Sequence, residues 1–182
     1  MTCPGCGAAM KLDAARDFLA CPYCGTMHFP DPNPDGVRVL EETVEQQCPR
    51  CSEVPGQEAA LVQASVAGDR VLYCQRCHGL LIEMEVFLAV VEELRSRQSS
   101  SEYAGKQPDW DELDRRTKCP KCGVQMDTHP YAGPGNVIID TCENCSLNWL
   151  DYGELQRIVR APDARYVMAI DEDERLKAQA DG

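Results

Sequence analysis

The chain reads as a small, metal-bound α+β protein: three β-hairpin units, each pinned by four cysteines, the second and third each followed by a helix. Two observations carry that expectation. Twelve cysteines lie among the 182 residues, in six pairs with two residues between partners: Cys3/Cys6, Cys21/Cys24, Cys48/Cys51, Cys74/Cys77, Cys119/Cys122 and Cys142/Cys145. The pairs then group in twos, with 14, 22 and 19 residues between Cys6 and Cys21, Cys51 and Cys74, and Cys122 and Cys142. A third observation is the thin supply of core, at 43% hydrophobic and 6% aromatic residues. Units of about 30–50 residues rarely stabilise themselves by burial alone, so metals or disulfides supply the difference.

The spacing selects metal. Two intervening residues let one tight turn present both sulfurs to a single ion, and a hairpin brings the second pair to the remaining tetrahedral positions. Each unit is then a zinc ribbon, and all twelve cysteines are ligands of three structural Zn²⁺ ions. A disulfide framework would show varied spacings in a secreted chain. With the first candidate ligand at Cys3, no secretory signal is expected before the first module. The longest apolar run, Val86–Val91, is six residues, far short of a membrane span. The expectation is a cytoplasmic protein with reduced thiols and no membrane partner. Tetrahedral S₄ also suits iron, with Cys21-Pro22-Tyr23-Cys24-Gly25 the best candidate, but few aromatics are available to shield such a centre. Zinc is the expected cofactor at each site.

Taken in order, residues 1–30 form the first ribbon, with strands at Ala9–Leu12 and Asp17–Ala20 around a polar turn at Asp13–Arg16, and a closing strand at Thr26–Phe29. Gly7, Gly25 and Gly123, each just after a knuckle, supply the positive φ such a turn needs. Pro30-Asp31-Pro32-Asn33-Pro34-Asp35-Gly36 breaks the chain after the first ribbon, and residues 31–45 read as a proline-rich, acidic linker that frees that ribbon to move. The second ribbon, 46–97, has β-prone Ala60–Val66 and Arg70–Tyr73 around Ala67-Gly68-Asp69. Its helix is expected from about Glu83 to Arg97, with Val86, Phe87, Val90, Val91 and Leu94 on one stripe. That stripe reads first as packing on the neighbouring ribbon and second as a partner groove or seam for self-association.

Residues 98–116 are a linker, polar at Gln98–Tyr103, with a short helix at Asp109–Arg116. The third ribbon, 117–161, pairs Val124–Tyr131 with Val137–Asp140 across Ala132-Gly133-Pro134-Gly135-Asn136. Asp151 and Glu154 read as an N-cap and its capping-box partner, with Leu155, Ile158 and Val159 on one face until Pro162. Residues 162–182 form an acidic tail, weakly helical over Asp163–Ala180.

The second and third modules resemble the transcription-factor-IIB-type zinc ribbon family. Its pattern is a Cys-Pro-x-Cys knuckle, a hairpin, a second Cys-x-x-Cys, and a Trp-Leu-Asp-x-Gly-Glu-Leu run opening a helix. Residues 117–160 carry it as Cys119-Pro120-Lys121-Cys122, Cys142-Glu143-Asn144-Cys145 and Trp149-Leu150-Asp151-Tyr152-Gly153-Glu154-Leu155. Leu147 and Asn148 stand where a glycine often follows the last knuckle. Residues 46–95 carry it more loosely, with Cys48-Pro49-Arg50-Cys51, Cys74–Gly79, and Leu81-Ile82-Glu83 in place of Trp-Leu-Asp. The first module is a generic zinc ribbon. The resemblance implies a fold and a metal, and leaves the biochemical role open.

Charge bears on partners. Lys plus Arg total 18 against 30 Asp plus Glu, a formal net charge of −12, and each four-thiolate zinc centre adds about −2 more. An acidic surface cannot supply the counterion release behind non-specific nucleic-acid binding. Arg50, Arg76, Lys118 and Lys121, in or near knuckles, are expected to screen the anionic centres. Cys74-Gln75-Arg76-Cys77-His78 contains the c-type haem attachment sequence, but using it would orphan Cys48 and Cys51. His28, His78 and His129 have no metal position left to fill. Paired cysteines at hairpin spacing with no βαβ pattern also argue against a redox motif. With four thiolates per site no position stays open for catalysis, so no enzyme is expected. The function expected is a protein–protein interaction adaptor or regulator. A nucleic-acid-binding accessory factor in transcription is the alternative, and a thiol redox or metal-handling protein comes third.

Overall fold

The computed structural model describes residues 1–13, 17–97, 109–131 and 135–161, and for Glu41 and Glu42 the backbone alone. The expected Gln98–Tyr103 linker, the 132–134 part of the third hairpin loop and the Asp163–Ala180 helix lie outside the described residues.

Among the described residues, ten strands and two helices follow in chain order. Strands β1 (Lys11–Leu12), β2 (Leu19–Ala20) and β3 (Met27–His28) make a small three-stranded antiparallel sheet. Then come β4 (Val37–Gln47), β5 (Ala60–Val66), β6 (Asp69–Tyr73), β7 (Leu80–Glu83), α1 (Met84–Ser96), β8 (Asp127–Pro130), β9 (Ile138–Cys142), β10 (Leu147–Leu150) and α2 (Glu154–Arg160). Short 3-10 turns occupy Cys51–Glu53 and Trp110–Asp114. The result is small α+β, mostly sheet, as the sequence predicts. The strands after the second knuckles are β3, β7 and β10, and α1 and α2 directly follow the last two.

The second and third ribbons do not stand apart. They share one seven-stranded sheet of order β4-β5-β6-β7-β10-β9-β8. Its centre is the antiparallel pairing of the two closing strands, with Leu147 opposite Glu83, Asn148 opposite Ile82, Trp149 opposite Leu81 and Leu150 opposite Leu80. That register has an approximate two-fold symmetry: counted from the preceding Cys-x-x-Cys pairs, Leu81 and Trp149 occupy equivalent positions, and they face each other on the axis. Alternation along these strands then divides two cores. Leu80, Ile82 and Leu150 point to the helices, with Phe87, Val90, Val91, Leu155, Ile158 and Val159. Leu81, Leu147 and Trp149 point the other way, among Leu61, Met126 and the buried cysteines of both ribbons. Two cores, each shared by both ribbons, thus replace the separate small ones that the cysteine grouping suggested.

Residues 31–45, expected as a linker, run into β4, an edge strand on β5. Period-two patterning fails there because the strand is bulged. From Val39/Ala64 to Thr43/Val62, four steps of β4 match two of β5, and the same happens again before Gln47/Ala60. Core-facing Val37 and Leu40, each 1% exposed, are therefore three residues apart.

Helix α1 begins and ends within a residue of its expected bounds. Its stripe is taken up inside the molecule: Phe87, Val90 and Val91 are buried, and α1 packs on α2, β6, β7 and β10. The α2 capping box forms only by half. The Glu154 carboxylate accepts from the Asp151 backbone N–H at 2.7 Å, but the residue preceding the helix is Gly153, and the Asp151 side chain is engaged elsewhere.

Candidate metal centres

Each knuckle is built by the same local rule. In four of the six, the first cysteine's N–H donates to a carbonyl five residues on: Cys3 to Ala8 at 2.7 Å, Cys21 to Thr26 at 2.9 Å, Cys74 to Gly79 at 2.9 Å and Cys119 to Val124 at 2.8 Å, with Cys48 bonding instead to the more distant Ala59 at 2.7 Å in the 3-10 variant. Where a left-handed residue closes the turn it directly follows the second cysteine: Gly7 (φ 75°), Gly25 (73°) and Gly123 (73°), as the sequence predicts, and also His78 (63°) and Ser146 (53°). The Cys48–Cys51 knuckle enters a 3-10 turn instead. Backbone N–H groups aim at sulfur, from Gly5 to Cys3 Sγ and from Cys51 to Cys48 Sγ at 3.4 Å, and from Cys77 to Cys74 Sγ at 3.5 Å.

The hairpins bring the pairs together as expected. Three groups form, Cys3/Cys6/Cys21/Cys24, Cys48/Cys51/Cys74/Cys77 and Cys119/Cys122/Cys142/Cys145, and within each all four sulfurs lie within 4.8 Å of one another. The closest approaches cross from one knuckle to the other: Cys3–Cys24 3.5 Å, Cys6–Cys21 3.4 Å, Cys48–Cys77 3.5 Å, Cys51–Cys74 3.8 Å and Cys122–Cys142 3.6 Å. A disulfide needs about 2.05 Å. Tetrahedral Zn–S bonds of about 2.3 Å place sulfurs about 3.8 Å apart. The donor set and its dimensions therefore fit a zinc ion at each of the three centres.

Proton affinity within the groups points the same way. The Cys77 thiol is drawn down to about 5, chiefly by its hydrogen bond with Cys48, whose own thiol is pushed up by that bond. Cys122 falls to about 7 through the Val124 backbone N–H, while its bond to Cys145 lifts Cys145 to about 12. The Thr26 hydroxyl and N–H bring Cys24 to about 6. In each group one sulfur ionises more readily while another resists: Cys24 against Cys6, Cys77 against Cys48 and Cys122 against Cys145. A central dication removes that conflict and lets all four be thiolates.

The three centres differ in shelter. Cys6 and Cys24 of the first are exposed, whereas in the second Cys48, Cys51 and Cys74 are buried and Cys77 half-buried. In the third Cys119 and Cys142 are buried, Cys145 half-buried and Cys122 exposed.

Sequence reasoning missed the polar network beside the third ribbon. Asp151 accepts from Trp149 Nε1 at 2.9 Å, from Arg50 Nε at 3.2 Å and from Arg115 Nη1. Arg50 sits in a second-ribbon knuckle, so Asp151 joins the two ribbons. Its guanidinium pairs with carboxylates (Asp151, and Glu53 at 3.5 Å) rather than simply screening a metal. Nearby, Glu154 is 1% exposed, and burial pushes its carboxyl up to about 8. Pairing across more than 100 residues leaves no local signal. The histidines lie outside the three groups: His78 bonds Tyr73 Oη at 2.5 Å and packs on Tyr152, and His129 meets the Thr141 hydroxyl at 3.0 Å. Cys74 and Cys77 are consumed in a four-sulfur group, which removes the haem reading.

Comparison with known proteins returns a family match for residues 118–161, to the transcription factor zinc-finger family of transcription-factor-IIB type. No curated protein and no solved structure matches the chain. The second module lies outside the matched residues, and its likeness to the third rests on the looser motif in its sequence and on the shared geometry. Four converging sulfurs, the closing strand bearing Trp149 and the helix opened by Glu154 all fall inside the matched segment: the third module of this chain is a transcription-factor-IIB-type zinc ribbon.

Proposed function

We propose that the chain is a non-catalytic adaptor, in which zinc holds rigid ribbons that present apolar side chains to a protein partner. The observation carrying this reading is the surface of the first ribbon. Met27 and Phe29 are each 58% exposed, and they line an open groove with Phe18, Leu94, Arg38 and Arg97. Exposed large apolar groups on a small acidic protein are the common anchor of protein recognition. Supporting it, four protein sulfurs at each centre complete a tetrahedron, and a catalytic zinc keeps one position open. The partner surface is centred on the first ribbon, with α1 contributing Leu94 to the groove wall.

Nucleic-acid binding is the weaker reading. Arg50 and Arg115 are both held by Asp151, so these cations are not free to meet phosphates, and the chain carries −12 overall. The test is affinity purification of the full chain under native conditions with mass spectrometry, beside a Met27→Asp/Phe29→Asp variant. A defined protein partner lost in the variant is the expected result. Recovery of nucleic acid alone, or a partner set indifferent to the variant, would overturn the proposal.

A further inference from the structure

We propose that the first ribbon holds an exchangeable zinc ion and folds and unfolds with it, while the other two ions are permanent. The inference rests on the metal centres and not on the adaptor reading.

Its ground is unequal support for three similar sulfur sets. Behind the first, the buried cluster consists of Cys3, Met10, Leu19 and Cys21, so two of its four members are themselves ligands. Its strands are two residues long. Take the ion away and little remains to hold Cys6 and Cys24, both already exposed. The other two centres share one cluster that includes Leu61, Leu81, Met126, Leu147 and Trp149, set in the seven-stranded sheet and backed by the helical core. Opening either of those breaks the sheet common to both. A metal leaves through local opening, and opening costs least where fewest contacts break.

Polar contacts from the rest of the chain to the first ribbon include Arg70 Nη2 to the Asp13 carbonyl at 2.8 Å and Arg38 Nη1 to the Pro30 carbonyl at 3.1 Å, but its three strands form a sheet of their own, apart from the seven-stranded one. The first ribbon can therefore lose order without dragging the main sheet with it. Since Met27 and Phe29 sit on β3 and just beyond it, their presentation becomes dependent on zinc supply.

Zinc release from natively purified full-length protein, followed with the coloured chelator 4-(2-pyridylazo)resorcinol, tests this. One ion per chain is expected to leave about tenfold or more faster than the other two. In a Trp110→Phe background, Trp149 fluorescence should stay constant through the fast phase. A Cys6→Ser/Cys24→Ser variant should carry two zinc ions, lack the fast phase and keep the Trp149 signal. Three ions leaving together, a fast phase surviving in that variant, or loss of the Trp149 signal with the first ion would overturn the proposal. Native protein free of zinc would instead remove the metal reading itself.

Discussion

Gly79 shows how a single missing side chain sets the centre of the molecule. A Cβ there would lie 2.2 Å from Cζ2 of Trp149, and Trp149 is itself 1% exposed and held by its bond to Asp151. The indole occupies the space a side chain would need. Across the axis the sizes are exchanged, with Leu147 at the position equivalent to Gly79 and Leu81 at that of Trp149. Gly79→Ala should therefore cost about 1–3 kcal/mol by overpacking, read as a lower urea midpoint in zinc-buffered solution. Adding Trp149→Leu should recover part of that loss, a coupling that two independent sites would not show. Glu154 offers a second test at this scale. Its folded-state carboxyl is raised by burial to about 8, so between the usual carboxylate range and pH 8 the folded state binds more protons than the unfolded. Its contribution is fully present below that range and is lost as pH rises through about 8. Glu154→Gln should gain stability relative to wild type between pH 6 and pH 9 by denaturant titration. A constant difference across those values would contradict the assignment.

Among the elements, α1 separates buried from exposed apolar residues within one turn. Phe87 is 2% exposed and meets Tyr131 edge-on at 5.4 Å, while its neighbour Leu88 is 58% exposed. Phe87→Ala should cost about 3–5 kcal/mol and Leu88→Ala within about 0.5 kcal/mol, compared by thermal or urea unfolding. The pairing of β7 with β10 is the other decisive element, because one residue, Leu81, packs at its centre between two metal clusters. Leu81→Asp places an unpaired charge against Trp149 and the cysteines, and buried charges without partners are severely destabilising. Both inner ribbons are expected to lose order together, while nuclear magnetic resonance signals of residues 1–30 persist.

For the molecule as a whole, the metal is a component of the fold. Structural zinc in small modules contributes on the order of 10–16 kcal/mol at neutral pH. Protons compete for thiolates, so stability should fall as pH drops below neutrality, in steps that match zinc release. Metal analysis of native protein should find three ions per chain, one for each sulfur group. The −12 charge predicts that affinity for DNA or RNA stays negligible at physiological salt, checked by fluorescence anisotropy; strong salt-dependent binding would favour the transcriptional alternative.

Local chemistry was legible in the sequence because it is written within a few residues. The knuckles, the hairpin spacing, the glycines closing three turns and the apolar stripe of α1 all follow from neighbours along the chain, and with them the twelve ligands and their grouping. The tertiary structure alone decided that two ribbons would merge, that β4 would become an edge strand, and that Arg50 and Arg115 would meet on Asp151. Strand pairing and ion pairing over tens of residues depend on which surfaces fold against each other. Bulges in β4 and the size exchange around Leu81 and Trp149 erase the periodic signal that would announce them.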